Sequence, residues 1–133
     1  MIMEKDLKDL LLKDLCGRLP YRVKVSAYRF GDSKRTEVVE TLYAIYKYDW
    51  SMETEGDDFV IPIGKPYLFP LSSMTEEQKE FLRRQSWCIA ISTSGTIETT
   101  IEGFDWLNKN HFDYRGLIEK SLAIDATNLE IYK

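Results

Sequence analysis

The feature that most constrains this chain is a change of hydrophobic period between Leu7 and Ala27. Leu7, Leu11 and Leu15 recur every four residues, with Leu10, Leu12 and Leu19 widening the stripe and Lys and Asp filling the rest. That spacing predicts a helix over Glu4 to Cys16 that packs one face on a core. Gly17 is placed to end the helix, and Pro20 prevents its continuation. Past Tyr21 the period falls to two. Val23, Val25 and Ala27 alternate with Arg22, Lys24 and Ser26, which predicts a half-buried strand over Tyr21 to Phe30.

Gly31-Asp32-Ser33-Lys34 then supplies a turn into a longer strand or strand pair, Thr36 to Tyr48. Both parities of that strand are apolar, so one of its faces is expected to pack on a helix or on a partner. Ser51 to Asp58 carries Glu53, Glu55, Asp57 and Asp58 with no offsetting base and reads as a solvated loop. It lacks the alternating oxygen ligands of an EF-hand loop. Phe59 to Ile63 predicts a short strand, with Pro62 marking an edge. Pro66 and Pro70 predict an extended connection, and Thr75 with Gln78 forms a capping box for a short helix through Phe81, Leu82 and Arg84. Trp87 to Ser92 reads as a central strand, turned by Ser94-Gly95 into Thr96 to Ile101 as a hairpin. Phe104 to Asn110 predicts one short helix, and Asp113 caps a second that buries Tyr114, Leu117, Ile118 and Leu122. Asn128 to Tyr132 is expected to add a last strand. The expected fold is a single α+β domain over residues 1–133. It has an N-terminal helix, a small, mainly antiparallel β-sheet, and short C-terminal helices packed on one face.

Composition narrows the function classes. At 133 residues with 44 % hydrophobic side chains the chain can bury a core without staples. Its 22 acidic against 18 basic residues give a net charge of −4, which disfavours a partner held chiefly through phosphates. The segment Tyr21 to Trp50 is locally basic through Arg22, Lys24, Arg29, Lys34, Arg35 and Lys47. Cys16 and Cys88 have no metal-ligand spacing, and each sits in an apolar run expected to hold a reduced, buried thiol. With His111 the only histidine, no ordinary zinc set forms, and neither a metal nor another cofactor is expected. The first residues, Met-Ile-Met-Glu-Lys-Asp, place charges where a signal peptide needs an apolar run. No apolar stretch approaches the ~20 residues of a membrane span. The expected location is cytoplasmic, with no membrane association.

No nucleophile elbow, P-loop or dinucleotide fingerprint is present. His111 with Asp105, Asp113 and Arg115 is the best raw material for catalysis. The same residues are explained as helix ends, with His111 at a carbonyl terminus and Asp113 at a cap, so no catalytic residue is assigned. A DNA-reading helix over Tyr114 to Leu122 is disfavoured by its small charge and by Glu119. The aromatic content is more suggestive. Tyr43, Tyr46, Tyr48, Trp50, Tyr67, Phe69, Trp87 and Trp106 are more than one small core readily hides, and Tyr and Trp are favoured in interface hot spots. The binding residues put forward are Tyr46, Tyr48, Trp50, Tyr67, Phe69, Trp106, His111, Tyr114 and Arg115. They point to a non-enzymatic module that binds another protein or a second copy of itself as a homodimer. The alternative is a single-stranded nucleic-acid-binding module that uses the aromatic and basic face of residues 21–50.

Three stretches carry a family resemblance: Leu12-Lys-Asp-Leu-Cys-Gly-Arg-Leu-Pro-Tyr21, Lys65-Pro-Tyr-Leu-Phe-Pro-Leu-Ser-Ser-Met-Thr-Glu-Glu-Gln78, and Phe104 to Ala123. They resemble small proteins encoded in gut Bacteroidetes genomes, prophages and mobile elements, a family with no known activity. The resemblance spans about half the chain and implies a phage or mobile-element context with a role in modulating a host process. The family pattern usually has a basic residue where this chain has Phe69, which implies a weaker hold on anions by that segment.

Overall fold

A computed structural model describes residues 5–34, 36–46, 51–55, 60–85, 89–91 and 97–132. The expected leucine stripe forms helix α1, Lys5–Arg18, and it runs one residue beyond Gly17. Gly17 is the last but one residue of the helix, and a Cβ there would stand 3.5 Å from the Asn108 side chain, an ordinary contact. Pro20 then tightens the chain into a short 3-10 turn, Leu19–Tyr21, and Arg22 leaves it at a left-handed φ of 58°. Cys16 is an exposed free thiol on α1, which corrects the expectation of a buried one. Its neighbour Leu15 takes the core position instead.

The period-two segment forms β1, Lys24–Arg29, which pairs antiparallel with β2, Glu37–Ile45. Between them Asp32 fixes the turn by accepting from the amides of Lys34 and Thr36. The first part of the acidic segment is a strand and not a loop: β3, Met52–Thr54, pairs antiparallel with the end of β2. Residues 56–59 of that segment lie outside the described residues.

The two proline-bearing stretches are one strand, β4, Val60–Pro70, antiparallel to β1. Pro62 and Pro66 fit because that half of β4 pairs only with β1 among the described residues, leaving its other side free of a ladder. A bulge centred near Gly64 (φ 89°) separates the pairs Val25↔Pro66 and Ala27↔Pro62, and Ser26 Oγ accepts from the displaced Lys65 amide. Among the described residues the far side of β4 is used only near its end, where two very short strands lie parallel to it: β8, Ile124–Asp125, and β7, Phe112–Asp113. The sheet order is β3-β2-β1-β4-β7, with β8 also on β4. The sheet is therefore mixed, and its antiparallel pairs are the longer ones.

The capping box starts helix α2, Glu76–Gln85, as expected: Thr75 N donates to Gln78 Oε1 at 2.8 Å and Gln78 N to Thr75 Oγ1 at 3.1 Å. The hairpin forms from β5, Ile89–Ile91, and β6, Ile97–Thr99. It is a separate two-stranded sheet, so β5 is not the central strand expected. Helix α3, Ile101–Lys109, is capped by Thr100 Oγ1. The second C-terminal helix is absent: residues 114–121 form turns. Asp113 does cap them, accepting from the amides of Leu117 and Ile118 at 2.8 and 2.9 Å. Gly116 at φ 71° and Ser121 at φ 60° turn the backbone left-handed, which a helix does not tolerate. Asn128 to Tyr132 likewise forms no strand. The fold class is α+β.

The described core has two parts. Leu11 and Leu15 of α1 meet Val23, Val25, Leu42 and Leu68 on one sheet face, closed by Leu117 and Leu122. Leu82 of α2, Leu107 of α3, Met74, Phe112 and Tyr114 form the other.

Candidate functional site

Between the Arg22–Lys24 segment and the end of α3, a groove of about 840 Å³ opens to solvent. Its floor is the junction of α3 with β7. Asn110 ends α3, its side-chain amide donating to Trp106 O, and His111 follows at φ 61°. This left-handed residue turns the chain into β7 so that His111 O accepts from Phe69 N at 2.8 Å. The His111 ring is thereby set flat against Tyr132, with centroids 3.7 Å apart and planes 12° apart.

Tyr132 joins distant parts of the chain. Its hydroxyl accepts from Lys24 N and donates to Tyr67 O, each at 2.8 Å, and its ring meets Phe69 at 5.8 Å. Burial raises the Tyr132 phenol well above its usual range, against a smaller opposing effect of the Lys24 amide. It stays protonated.

Electrostatically the groove is cationic. Arg22, Lys24 and Lys109 line it, and among the described residues no Asp or Glu does. Arg22 is already spanned by Glu55, with N–O distances of 2.8 and 3.0 Å. The Lys24 ammonium donates to Thr41 Oγ1. Behind the groove wall lies a buried cluster on α1. Asp14 receives Arg18 Nε at 2.7 Å and Arg115 Nη1 at 2.8 Å, while Arg18 Nη2 donates to Phe112 O at 2.6 Å. Tyr114 stands between the two guanidiniums, 5.2 and 4.7 Å from its ring centre. One carboxylate thus faces two guanidiniums. Burial first, then Arg18 and Lys24, push the His111 imidazole down to about 4, so it is neutral near pH 7. His111 Nδ1 and Arg18 Nη1 are buried with no hydrogen-bond partner among the described residues.

The expected binding residues do not gather in one place. Phe69 and His111 line the groove. Tyr67 and Tyr114 are buried, at 4 % and 6 % exposure: Tyr67 donates to Glu37 Oε1 of β2 at 2.6 Å, and Tyr114 packs in the second core with the half-buried Trp106 stacked on Phe112. Arg115 is committed to Asp14. Tyr46 is exposed elsewhere, its hydroxyl donating to Glu53. Tyr48 and Trp50, with Trp87 and Lys47, lie outside the described residues. Of the groups offered for catalysis, Asp113 caps its turn, Asp105 is exposed, and neither meets His111. The sequence reading missed Tyr132, Lys109, Asp14 and Arg18. The i,i+4 spacing of Asp14 and Arg18 was a usable signal for their pairing.

A second surface lies on β2. Its outer edge pairs with β3 from Leu42 onward, and Thr41 O accepts from Glu55 N. From Glu37 to Glu40 the only strand neighbour among the described residues is β1. Leu42 N bonds inward to Val23 O, so by alternation Glu37 and Val39 aim their main-chain N–H and C=O groups outward. Val39, Tyr43 and Phe30 are 42 %, 61 % and 73 % exposed around this edge.

No helix among the described residues is long and apolar enough to cross a membrane. Comparison of the chain with protein-family models, with curated proteins and with solved structures found no match.

Proposed function

We propose that the protein is a non-enzymatic, cytoplasmic accessory module that binds another protein by strand addition at the Glu37 to Glu40 half of the outer β2 edge, which no described strand covers. One observation carries this reading: Glu37 to Glu40 pair with β1 on one side and, among the described residues, with no strand on the other. Such an edge is a template for an incoming strand, with main-chain hydrogen bonds giving affinity and flanking side chains giving specificity. Phe30, Val39 and Tyr43 supply the apolar contacts.

The charges select the partner. A second copy laid antiparallel on this edge with Glu37 opposite Glu40 would set carboxylates against each other across the strands, which is destabilising, and Glu37 also accepts from the Tyr67 hydroxyl of its own chain at 2.6 Å. The occupant is therefore a different protein whose strand carries Lys or Arg opposite these carboxylates. The resemblance to proteins of phages and mobile elements supports a host protein as that partner. Support for the non-enzymatic part is that Asp113 and Arg115 are spent on a turn and on Asp14 rather than converging on His111.

Val39→Pro tests the reading, because it deletes one outward N–H and leaves the bonds to β1 intact. Affinity purification from the native host should retain a specific protein on the native chain and lose it on Val39→Pro, with an unchanged far-ultraviolet circular dichroism spectrum. Equal retention of that protein by the variant would sink the proposal. So would light scattering that shows the native chain as a dimer and Val39→Pro as a monomer.

A further inference from the structure

We infer that the groove beside His111 binds a phosphorylated ligand of nucleotide size, with its phosphate held by Lys24 and Lys109 and its planar part against the wall of Phe69 and Tyr132. This site is separate from the β2 edge and does not depend on it.

Charge is the first ground. The chain has more acidic than basic residues, yet among the described residues no carboxylate side chain lines this groove and three cationic side chains do. Arg22 is neutralised by Glu55. Lys24 and Lys109 have no carboxylate within ion-pair distance among the described residues. The cluster behind the wall adds to the surplus, since its single carboxylate is shared by Arg18 and Arg115. Low-dielectric walls lined by one sign of charge concentrate counter-ions of the other sign.

Hydrogen bonding is the second. Thr75 Oγ1 accepts from Gln78 N and retains its own hydrogen to donate, while Gln78 uses only its carbonyl oxygen, leaving its amino group. Both side chains line the groove, and both lysines add ammonium donors. Thr75, Gln78, Lys109 and, beyond its bond to Thr41, Lys24 thus bring donors to the wall, which suits an acceptor-rich phosphate.

Shape is the third. A volume of about 840 Å³ lies in the range of small-molecule sites and is more than a bare anion would fill. Phe69 contributes a ring that packs on Tyr132, so the wall is apolar and aromatic where the ligand's planar part would lie. The charge comes from Lys24 and Lys109.

The same chemistry is offered by a free nucleotide and by the 5′-phosphate of a single strand. Calorimetric titration at low salt would use the four ribonucleoside 5′-monophosphates, the four nucleosides, and a short oligodeoxynucleotide with and without a 5′-phosphate. At least one monophosphate should bind saturably and at least about tenfold more tightly than its nucleoside, and Lys109→Gln should weaken it about tenfold. Lys109 is exposed at the end of α3, so this variant should fold. Affinity should fall as salt rises. Tighter binding of the 5′-phosphorylated strand than of the monophosphate would assign the strand end as the source, and the reverse would assign the free nucleotide. No saturable binding by any phosphorylated probe overturns the proposal. Equal affinity for nucleoside and nucleotide, or for both forms of the oligonucleotide with no monophosphate binding, also overturns it, as does an unaffected Lys109→Gln. Val39→Pro should titrate like the native chain, which keeps this outcome distinct from that of the β2 edge.

Discussion

At the scale of single residues, His111 shows how position overrides chemistry. A histidine near Asp105, Asp113 and Arg115 in sequence suggested a base with charged partners. The fold instead seats it at 8 % exposure, with Arg18 and Lys24 as the nearby charges that lower its affinity for a proton. None of this is legible locally, because Lys24 reaches it from the far side of the sequence and Tyr132 stacks on it. The consequence for pH is signed. The folded chain takes up the His111 proton only near pH 4, whereas the unfolded chain does so near 6.5. Stability contributed by neutral His111 is therefore complete above about pH 6.5 and is lost as pH falls towards about 4, by at most about 3 kcal/mol. His111→Asn tolerates the left-handed φ of 61° and removes the titration. Urea midpoints measured across that window should fall more steeply for the native chain than for the variant, and parallel curves would contradict the assignment.

At the scale of elements, what was legible is what is encoded within one turn or one strand. The α1 stripe, the alternation in β1 and the Thr75–Gln78 box are local patterns with local geometry, and each formed. The Asp113 cap was also read correctly as a donor-satisfying carboxylate. Its helix failed because Gly116 takes a left-handed φ of 71° where continuing the helix would require the right-handed one. The long β4 was hidden because its prolines signal a break, and only the pairing with β1 on one side reveals that they are tolerated. Two predictions belong to α1. Gly17→Ala places its methyl 3.5 Å from Asn108 without a clash and should stabilise the protein by about 0.5–1 kcal/mol, seen as a higher thermal midpoint. Asp14→Ala leaves Arg18 buried at 0 % exposure without its carboxylate and should cost about 3–5 kcal/mol by urea unfolding. Arg115→Ala should cost less than Asp14→Ala, because Arg115 is partly exposed and its loss leaves the Arg18–Asp14 pair intact.

At the scale of the whole molecule, closure depends on a residue with no local signature. Tyr132 lies 108 positions from Lys24 and 65 from Tyr67, yet its single hydroxyl satisfies a main-chain donor of β1 and a main-chain acceptor of β4. The expected strand over Asn128 to Tyr132 identified an ordered segment but the wrong means of attachment. Side-chain hydrogen bonding and ring stacking replace a ladder there, and neither leaves a period in the sequence. The same hydroxyl and ring join the sheet to the His111 turn, so the groove and the fold share one fastening. Tyr132→Phe keeps the ring stack on His111 and removes both hydrogen bonds, leaving Lys24 N and Tyr67 O without that partner. The cost should be about 1–3 kcal/mol. Tyr132→Ala also loses the stack and the Phe69 contact, and should cost more. Because the bonds end on two different strands, the loss should appear as faster amide exchange at Lys24 in Tyr132→Phe, while the α2 amides held by the Thr75–Gln78 box stay protected. Uniform acceleration throughout the chain would mean that Tyr132 only sets global stability and does not fasten this corner.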